Sequence, residues 1–119
     1  MHNGFVFYLV PCQLGDVNVF YYVALEDAGQ VDTVEFQVPA SATGQPEPLL
    51  ANVAWDNNIN GLISETFFSR NRDCGKHEKH VFWPDEGRFY LSEYRLKENC
   101  DGVASPSGSY PIEWNGEGD

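Results

Sequence analysis

Residues 70–102 read RNRDCGKHEKHVFWPDEGRFYLSEYRLKENCDG, and this stretch decides how the chain folds. Two runs within it, residues 77–83 and 88–96, carry the aromatic residues that favour strands. Between them, residues 84–87 (PDEG) supply a proline that presets the first turn angle and a glycine that relieves the last. The stretch therefore predicts a β-hairpin.

The cysteines fit this hairpin. Cys74 stands just before the first run and Cys100 just after the second, so both lie at the open end, where their Cβ atoms can reach bridging distance. We predict a Cys74–Cys100 disulfide, which is typical of an oxidising compartment. For the remaining Cys12 we expect burial at a strand end; the alternatives are a free thiol or a cysteine partner outside this chain.

Three further strands are predicted before the middle of the chain. Residues 5–10 and 17–25 are apolar at both alternating sets of positions, which is typical of central strands covered on both faces. Apolar and polar side chains alternate over residues 31–38, so one face of this strand should be exposed to solvent. Residues 39–48, rich in Ala, Ser, Thr, Gly and Pro, should form a loop.

A second hairpin and a last strand complete the fold. Residues 49–55 and 62–68 flank DNNING (residues 56–61), whose residues tolerate left-handed backbone angles. Residues 110–114 form the last strand, and residues 115–119 should be a frayed tail. We therefore predict one all-β domain over residues 1–119, an antiparallel β-sandwich or curved sheet of about seven or eight strands.

The charge distribution restricts the partners. The net charge is −11, and all seven Lys and Arg residues lie between positions 70 and 97. Such acidity repels phosphate backbones and anionic lipids, and no stretch approaches the roughly 20 apolar residues of a membrane span, so nucleic acid and membrane insertion are excluded. A basic protein or a cation is the more plausible partner, unless the acidity only maintains solubility.

Four basic residues, Arg70, Arg72, Lys76 and Lys79, surround Cys74 in the sequence. Guanidinium and ammonium groups in such a cluster can receive an anionic group or an acidic partner. The alternative, which we favour, is that these residues neutralise the acidic remainder of the same domain.

One segment has part of a calcium-loop pattern. Asp56, Asn58 and Asn60, followed by Gly61, match its first six positions, where oxygen ligands alternate before a sharp bend. The twelfth position, which needs a bidentate Glu, is Phe67, and a strand pattern follows instead of a helix. The segment therefore predicts a turn between strands, and calcium remains a minor alternative.

A second metal pattern is weaker still. Cys74, His77 and His80 are residue types that bind zinc, but the two histidines, three apart on a strand, should point to opposite faces. We expect both to be surface residues. No nucleophile elbow, Cys-x-x-Cys pair or phosphate-binding glycine loop occurs, so we expect neither an enzymatic activity nor a cofactor.

Short motifs stand in order along the chain: Leu9-Val10-Pro11-Cys12 followed by Gly15 and Asn18, Leu50-Ala51-Asn52, Asp73-Cys74-Gly75, Gly87-Arg88-Phe89-Tyr90-Leu91, Asn99-Cys100-Asp101-Gly102 and Tyr110-Pro111-Ile112-Glu113-Trp114. In these motifs, over residues 5–114, the chain resembles the C-terminal half of a family of uncharacterised proteobacterial envelope proteins, a domain of unknown function. Members usually carry a signal peptide and a further N-terminal region. The resemblance therefore implies periplasmic or secreted placement and a chain that is part of a longer exported protein, and it implies no activity.

The chain departs from the family at two motifs. Ser69-Arg70-Asn71-Arg72 replaces a Gly-rich approach to Asp-Cys-Gly, and Cys100-Asp101-Gly102 replaces Cys-Arg-Gly, so no role is carried over to these positions. The leading hypothesis is a non-enzymatic binding or structural module of the periplasm or cell envelope, which contacts a protein partner through a sheet edge or its charged hairpin end. Alternatives are an acidic inhibitor or immunity-like protein that blocks a basic envelope enzyme, and a calcium-stabilised β domain.

Overall fold

The computed structural model describes residues 5–15, 17–39 and 44–115, and these residues form an almost wholly antiparallel β structure. The strands are β1 (Phe5–Leu14), β2 (Val19–Asp27), β3 (Gln30–Thr33), β4 (Leu50–Ala51), β5 (Ala54–Asp56), β6 (Gly61–Phe67), β7 (Gly75–Trp83), β8 (Arg88–Lys97) and β9 (Ile112–Asn115), with a short 3-10 helix at Ser107–Ser109. The all-β prediction is confirmed. The predicted frayed tail lies, apart from Asn115, outside the described residues.

The first sheet is built around β2. β1 pairs along one side of β2, and β3 and β4 share the other side, at residues 24–27 and 20–21 respectively. The prediction of a central strand is right for β2 and wrong for β1, whose partner among the described residues is β2 alone. Apolar residues on both faces of β1 misled the prediction, because the face turned away from the core is only half covered: Tyr8 is 43% exposed.

The second sheet is a meander in which β5, β6, β7, β8 and β9 each pair with the next strand. Both predicted hairpins are present. In the first turn Asn60 adopts a left-handed angle (φ 54°), and the Asp56 carboxylate accepts a hydrogen bond from the Asn58 backbone N–H at 2.8 Å. In the second turn Gly87 takes the left-handed angle (φ 63°). Local turn chemistry therefore fixes both reversals.

The predicted strand over residues 49–55 is wrong, because the chain changes sheets within it. β4 pairs with β2 in the first sheet, whereas β5 pairs with β6 in the second. The break falls after Ala51, where Asn52 has a left-handed backbone angle (φ 49°) that a continuous strand does not allow. This split explains why the described residues hold nine strands where eight segments were expected.

Two asparagines, which we call the amide latch, join the sheets at this break. The Asn18 side chain pairs with the Phe67 backbone like a strand residue, donating to its carbonyl at 2.7 Å and accepting from its N–H at 2.9 Å. The Asn52 amide donates both to the Asn18 side chain at 3.0 Å and to the Glu65 carbonyl at 2.9 Å. Polar bonds therefore fix the position of one sheet relative to the other.

The core lies between the two sheets and is largely aromatic. Rings of Phe7, Phe82 and Phe89 are mutually packed, with centroid separations of 4.8 to 5.5 Å. Its buried residues come from both layers: Val23, Phe36, Leu50, Val53, Leu62, Phe82 and Phe89. The molecule is therefore a β-sandwich.

The predicted strand over residues 31–38 is correct only in its first part. β3 ends at Thr33, and beyond it only Phe36 makes a strand-like bridge, to Glu47. The predicted alternation persists, however, because Phe36 is buried and Glu35 is exposed. In the predicted loop, residues 40–43 lie outside the described residues, and residues 44–48 carry no strand apart from that bridge.

The disulfide between Cys74 and Cys100 is present and closes the open end of the β7–β8 hairpin, with a Cα–Cα distance of 4.8 Å. The expectation for Cys12 is wrong, because this residue is exposed. β1 runs on to Leu14 as an edge strand, and its last residues project beyond the core. The Cys12 thiol contacts only the Phe20 carbonyl, at 3.6 Å, among the described hydrogen bonds.

Candidate functional site

The structure divides the four basic residues that the sequence places together. Strand alternation turns Lys76 toward the space between the sheets and Lys79 to the opposite face. The guanidinium of Arg72 lies 5.0 Å from the Phe67 ring centroid, and Arg70 is exposed in the same loop. Lys76 and Lys79 therefore lie on different faces of β7, and the Lys76 ammonium is paired with acidic residues of the same domain.

Lys76 belongs to a group of four residues that we call the internal charge cluster: Glu47, Lys76, Glu78 and His80. The Lys76 ammonium lies 3.0 Å from the Glu47 carboxylate and 3.1 Å from that of Glu78. The His80 ring nitrogen Nε2 lies 3.0 Å from the other Glu78 oxygen. Glu78 and His80 are fully buried, and the Phe36 ring lies 4.8 Å from that of His80. Because side chains alternate along β7, the three cluster residues that belong to this strand, Lys76, Glu78 and His80, lie on one face.

The carboxyl groups of this cluster have opposite pKa shifts. Burial, together with the charge of Glu78, raises the pKa of Glu47 to about 7. Burial also opposes ionisation of Glu78, but the hydrogen bond from His80 and the charges of His80 and Lys76 outweigh it and lower the Glu78 pKa. For Lys76, burial is outweighed by the Glu78 and Glu47 charges, so its pKa is raised. Glu47 therefore gains or loses a proton near neutral pH.

This shift predicts a pH dependence of stability. Because the folded-state pKa of Glu47, about 7, lies above the ordinary 4.5, folding favours its protonated form, so its stabilising contribution is complete below pH 4.5 and is lost as pH rises to about 7. The pKa difference sets an upper limit of about 3 kcal/mol on the fall in unfolding free energy. The fall should be smaller than this limit, because the Glu47 side chain is 21% exposed and solvent screens its charge. Urea denaturation at several pH values measures it.

Glu47→Gln is the matched variant, because it keeps the shape and removes the titration. Its stability should change less between pH 4.5 and 7 than that of the wild type. His77, whose pKa burial lowers, acts in the opposite direction in both proteins, so the difference between them isolates Glu47. Parallel curves for the two proteins would contradict the assignment. The stabilising contribution of Glu78, whose pKa is lowered, is complete above about pH 4.5 and is lost only as pH falls below that value, so Glu78 does not affect this pH range.

The prediction that His77 and His80 are surface residues is wrong, since both are buried. They do point to opposite faces, as expected. His80 lies in the internal charge cluster, whereas His77 is covered by the segment that contains the 3-10 helix: its ring nitrogen Nδ1 lies 2.8 Å from the Ser107 hydroxyl. Polar residues on a strand suggested exposure to solvent, but at these two positions the side chains are covered, His77 by the segment around Ser107 and His80 by Phe36.

Ser107, His77 and Glu65 form a clamp that sequence reasoning missed. The Ser107 hydroxyl donates to the Glu65 carboxylate at 2.8 Å while it contacts His77. In a hydrolytic triad the histidine lies between the nucleophile and the acid; here the serine lies between them, and it is buried. The arrangement fastens the 3-10 helix to the sheet. No motif signals it, because the three residues are 12 to 42 positions apart.

The candidate metal ligands make hydrogen bonds within the fold. Asp56 closes the turn on Asn58, and the Asn60 amide donates to the Phe82 carbonyl at 3.1 Å. Among the described residues, one group of three side chains of metal-binding type comes together. It consists of Asp73 and the two disulfide cysteines, whose potential ligand atoms lie within 4.8 Å of one another. There the Asp73 carboxylate accepts bonds from the Gly102 N–H and the Ser69 hydroxyl. The geometry favours structural roles for both groups.

A groove of about 870 Å³ lies at the face of the second sheet that points away from the core. Its most exposed ring is Trp83, at 50%, and the Tyr90 ring lies 4.7 Å away, tilted by 47°. Tyr90 is braced by a hydrogen bond to Glu86 and by the Arg88 guanidinium, 5.0 Å from its ring. We call this feature the aromatic groove; it is lined by Gln37, Val38, Pro39, Ile59, Lys79, Val81, Trp83, Tyr90, Leu91, Ser92, Glu93, Trp114 and Asn115.

Polar groups within the aromatic groove are fixed in place. The Lys79 ammonium lies 3.5 Å from the Glu93 carboxylate, and the Arg95 guanidinium donates to that carboxylate at 2.9 Å. The bond from Arg95 lowers the pKa of Glu93, so this group is ionised at neutral pH. On the opposite wall, Gln37 accepts a hydrogen bond from the Leu91 N–H at 2.8 Å. The groove combines segments far apart in sequence, which is why no local pattern predicts it.

The described residues contain no helix of the length and hydrophobicity needed to cross a bilayer. The disulfide is compatible with an oxidising extracellular or periplasmic compartment. Comparison of the chain with protein families, curated proteins and solved structures gives no match in any of the three.

Proposed function

We propose that the protein is a non-enzymatic binding module of the periplasm, the cell envelope or the exterior of the cell, and that it holds its ligand in the aromatic groove. The observation that carries the proposal is the groove itself, a concave site with exposed rings and a few fixed polar groups. Ligand sites in proteins generally have this form. The Cys74–Cys100 disulfide supports placement in an oxidising compartment, as does the resemblance to envelope proteins.

We propose no catalytic activity because of the positions of the reactive side chains. Glu78 and His80 are buried between the sheets, and Ser107 is buried in the 3-10 helix. A general acid, base or nucleophile must reach the reacting atoms of its substrate. Glu78 and His80 bond to each other instead, and Ser107 bonds to Glu65 and His77, so the proposal assigns these groups to stability.

The aromatic groove supports binding better than the sites expected from sequence. Of the basic residues at the hairpin end, Lys76 is paired between the sheets and Lys79 lies on the opposite face, so these two do not share one charged surface. The edge of β1 offers the backbone groups of one strand. Trp83, by contrast, leaves half of its area in water beside a cavity, and exposed apolar area of this kind often marks a binding site.

The test is a binding screen by thermal shift and ligand-observed NMR. The panel contains neutral oligosaccharides, oligopeptides, nucleotides and fatty acids, and the proteins are the wild type, Trp83→Ala and Tyr8→Ala. Tyr8 is the matched control, because its 43% exposed ring lies on the other sheet. We expect a compound that stabilises the wild type and Tyr8→Ala but not Trp83→Ala, and that is recovered unchanged. A screen without such a compound, or chemical turnover of it, would contradict the proposal.

A further inference from the structure

We infer that the ligand of the aromatic groove is a neutral carbohydrate, with a sugar ring stacked on Trp83 and Tyr90 and its hydroxyl groups bonded to Glu93 and Lys79. The inference rests on the proposed function and adds the chemical class of the ligand. Three properties of the groove support it: the exposed rings, the paired donor and acceptor beside them, and the charge of the surrounding domain.

The rings match one face of a sugar. A pyranose ring has a face of C–H groups and a rim of hydroxyls, and the faces of aromatic rings carry negative charge that attracts such C–H groups. Trp83 and Tyr90, 4.7 Å apart and tilted by 47°, form an open corner with two ring faces. Covering the exposed indole removes apolar area from water, which favours binding. Stacking of this kind requires rigid rings, and Tyr90 is held by Glu86 and Arg88.

The polar groups match the rim of the sugar. A carboxylate accepts hydrogen bonds from hydroxyls and an ammonium donates to them. Glu93 and Lys79 present both functions 3.5 Å apart within the aromatic groove. Because Arg95 keeps Glu93 ionised and oriented, the acceptor is fixed before the ligand arrives. A hydroxyl-rich ligand replaces the water on these groups without leaving either unpaired.

The charge of the domain selects neutral ligands. The domain has a net charge of −11, and the two cations Lys79 and Arg95 are paired with the ionised Glu93, so the site disfavours phosphates and carboxylates. Nucleotide bases also stack on aromatic rings, but the negative potential of the acidic domain disfavours the phosphate groups of a nucleotide. Neutral sugars have no such penalty.

A proline-rich peptide is the main rival, since aromatic grooves also bind polyproline helices. Proline carries no backbone N–H, so such a peptide offers mostly carbonyl acceptors. Such a peptide can accept a hydrogen bond from Lys79 but donates none to Glu93, whose present bonds come from Arg95 and Lys79. The carbohydrate satisfies both Glu93 and Lys79, and for this reason we prefer it.

The experiment is isothermal titration and tryptophan fluorescence with five probes: cellohexaose, maltohexaose and mannohexaose as neutral sugars, heparin hexasaccharide as an anionic sugar, and decaproline. We expect at least one neutral hexasaccharide to bind, with an affinity that changes little with salt, and heparin and decaproline not to bind. Trp83→Ala should weaken binding by about 10-fold or more, which corresponds to a loss of about 1.4 kcal/mol.

Three variants make the result interpretable. Trp83→Phe keeps a ring and should retain part of the affinity, Glu93→Gln should weaken binding because it removes the charged acceptor, and Tyr8→Ala should bind like the wild type. Binding of decaproline or heparin in place of neutral sugars, with loss in Trp83→Ala, would overturn this inference and leave the proposed function intact. If no compound of any class binds the groove, both are wrong.

Discussion

Removal of the disulfide in the double variant Cys74→Ser/Cys100→Ser is expected to lower the free energy of unfolding by about 3 kcal/mol. The bond links residues 26 positions apart, so it restricts the unfolded chain strongly. For a domain of this length the loss corresponds to a decrease in melting temperature of roughly 10 °C. Urea denaturation and thermal circular dichroism, both without reductant, measure it.

The third cysteine supplies the matched control. Cys12 is exposed on the edge strand, so Cys12→Ser should change stability by less than about 0.5 kcal/mol. Mass spectrometry of peptides from non-reduced protein should show Cys74 joined to Cys100 and Cys12 unmodified or joined to an external thiol. Equal stability of the double variant and the wild type would show that the bond does not contribute to the fold.

Replacement of Lys76 by methionine is expected to be the most damaging single charge removal in β7. At pH 8 it leaves Glu78, fully buried, with Glu47 beside it and no cation between them. Removing one partner from a buried ion pair typically costs about 3 to 5 kcal/mol. At pH 5 Glu47, whose pKa is about 7, is already protonated, so the loss should be smaller. Urea denaturation at the two pH values measures both losses.

Lys79→Met is the control for this prediction, because it removes the same charge from the same strand three residues away. Lys79 faces outward, and its ion pair with Glu93, at 3.5 Å, is partly exposed. Exposed pairs contribute about 1 kcal/mol or less, without a marked difference between pH 5 and 8. Equal losses in the two variants, or a Lys76→Met loss that does not vary with pH, would contradict the role of the internal charge cluster.

The hairpins and the disulfide could be predicted because their signals are local. Proline and glycine at residues 84–87, and the asparagines and glycine at residues 56–61, specify turn angles without reference to the rest of the chain. Once β7 and β8 are paired, Cys74 and Cys100 must be neighbours. Backbone geometry over a few residues determines all of these features.

The position of each strand within the sheets could not be predicted. An apolar strand has the same pattern whether it is central or at an edge, so β1 was misplaced. The change of sheet at Asn52 depends on the pairing of β4 with β2, which is distant in sequence. His77 and His80 were assigned to the surface for the same reason, since their covering elements, around Ser107 and Phe36, lie elsewhere in the chain.

The aromatic groove could not be predicted either. Its rings are ordinary strand residues in the sequence, and aromatic residues on strands usually mean packing. Only the fold shows that Trp83 remains half exposed and that Gln37, from a segment outside the second sheet, completes the wall. Sites assembled from distant segments carry no local signature.

The amide latch and the Gln37 bond have a common consequence for recognition. Asn18 and Asn52 hold the two layers in one relative position, and the bond between Gln37 and the Leu91 N–H keeps the 37–39 segment against β8. The groove is therefore preorganised, and little conformational entropy is lost when a ligand enters it. An incoming ligand should find a rigid receptor, so that binding resembles lock-and-key docking rather than induced fit.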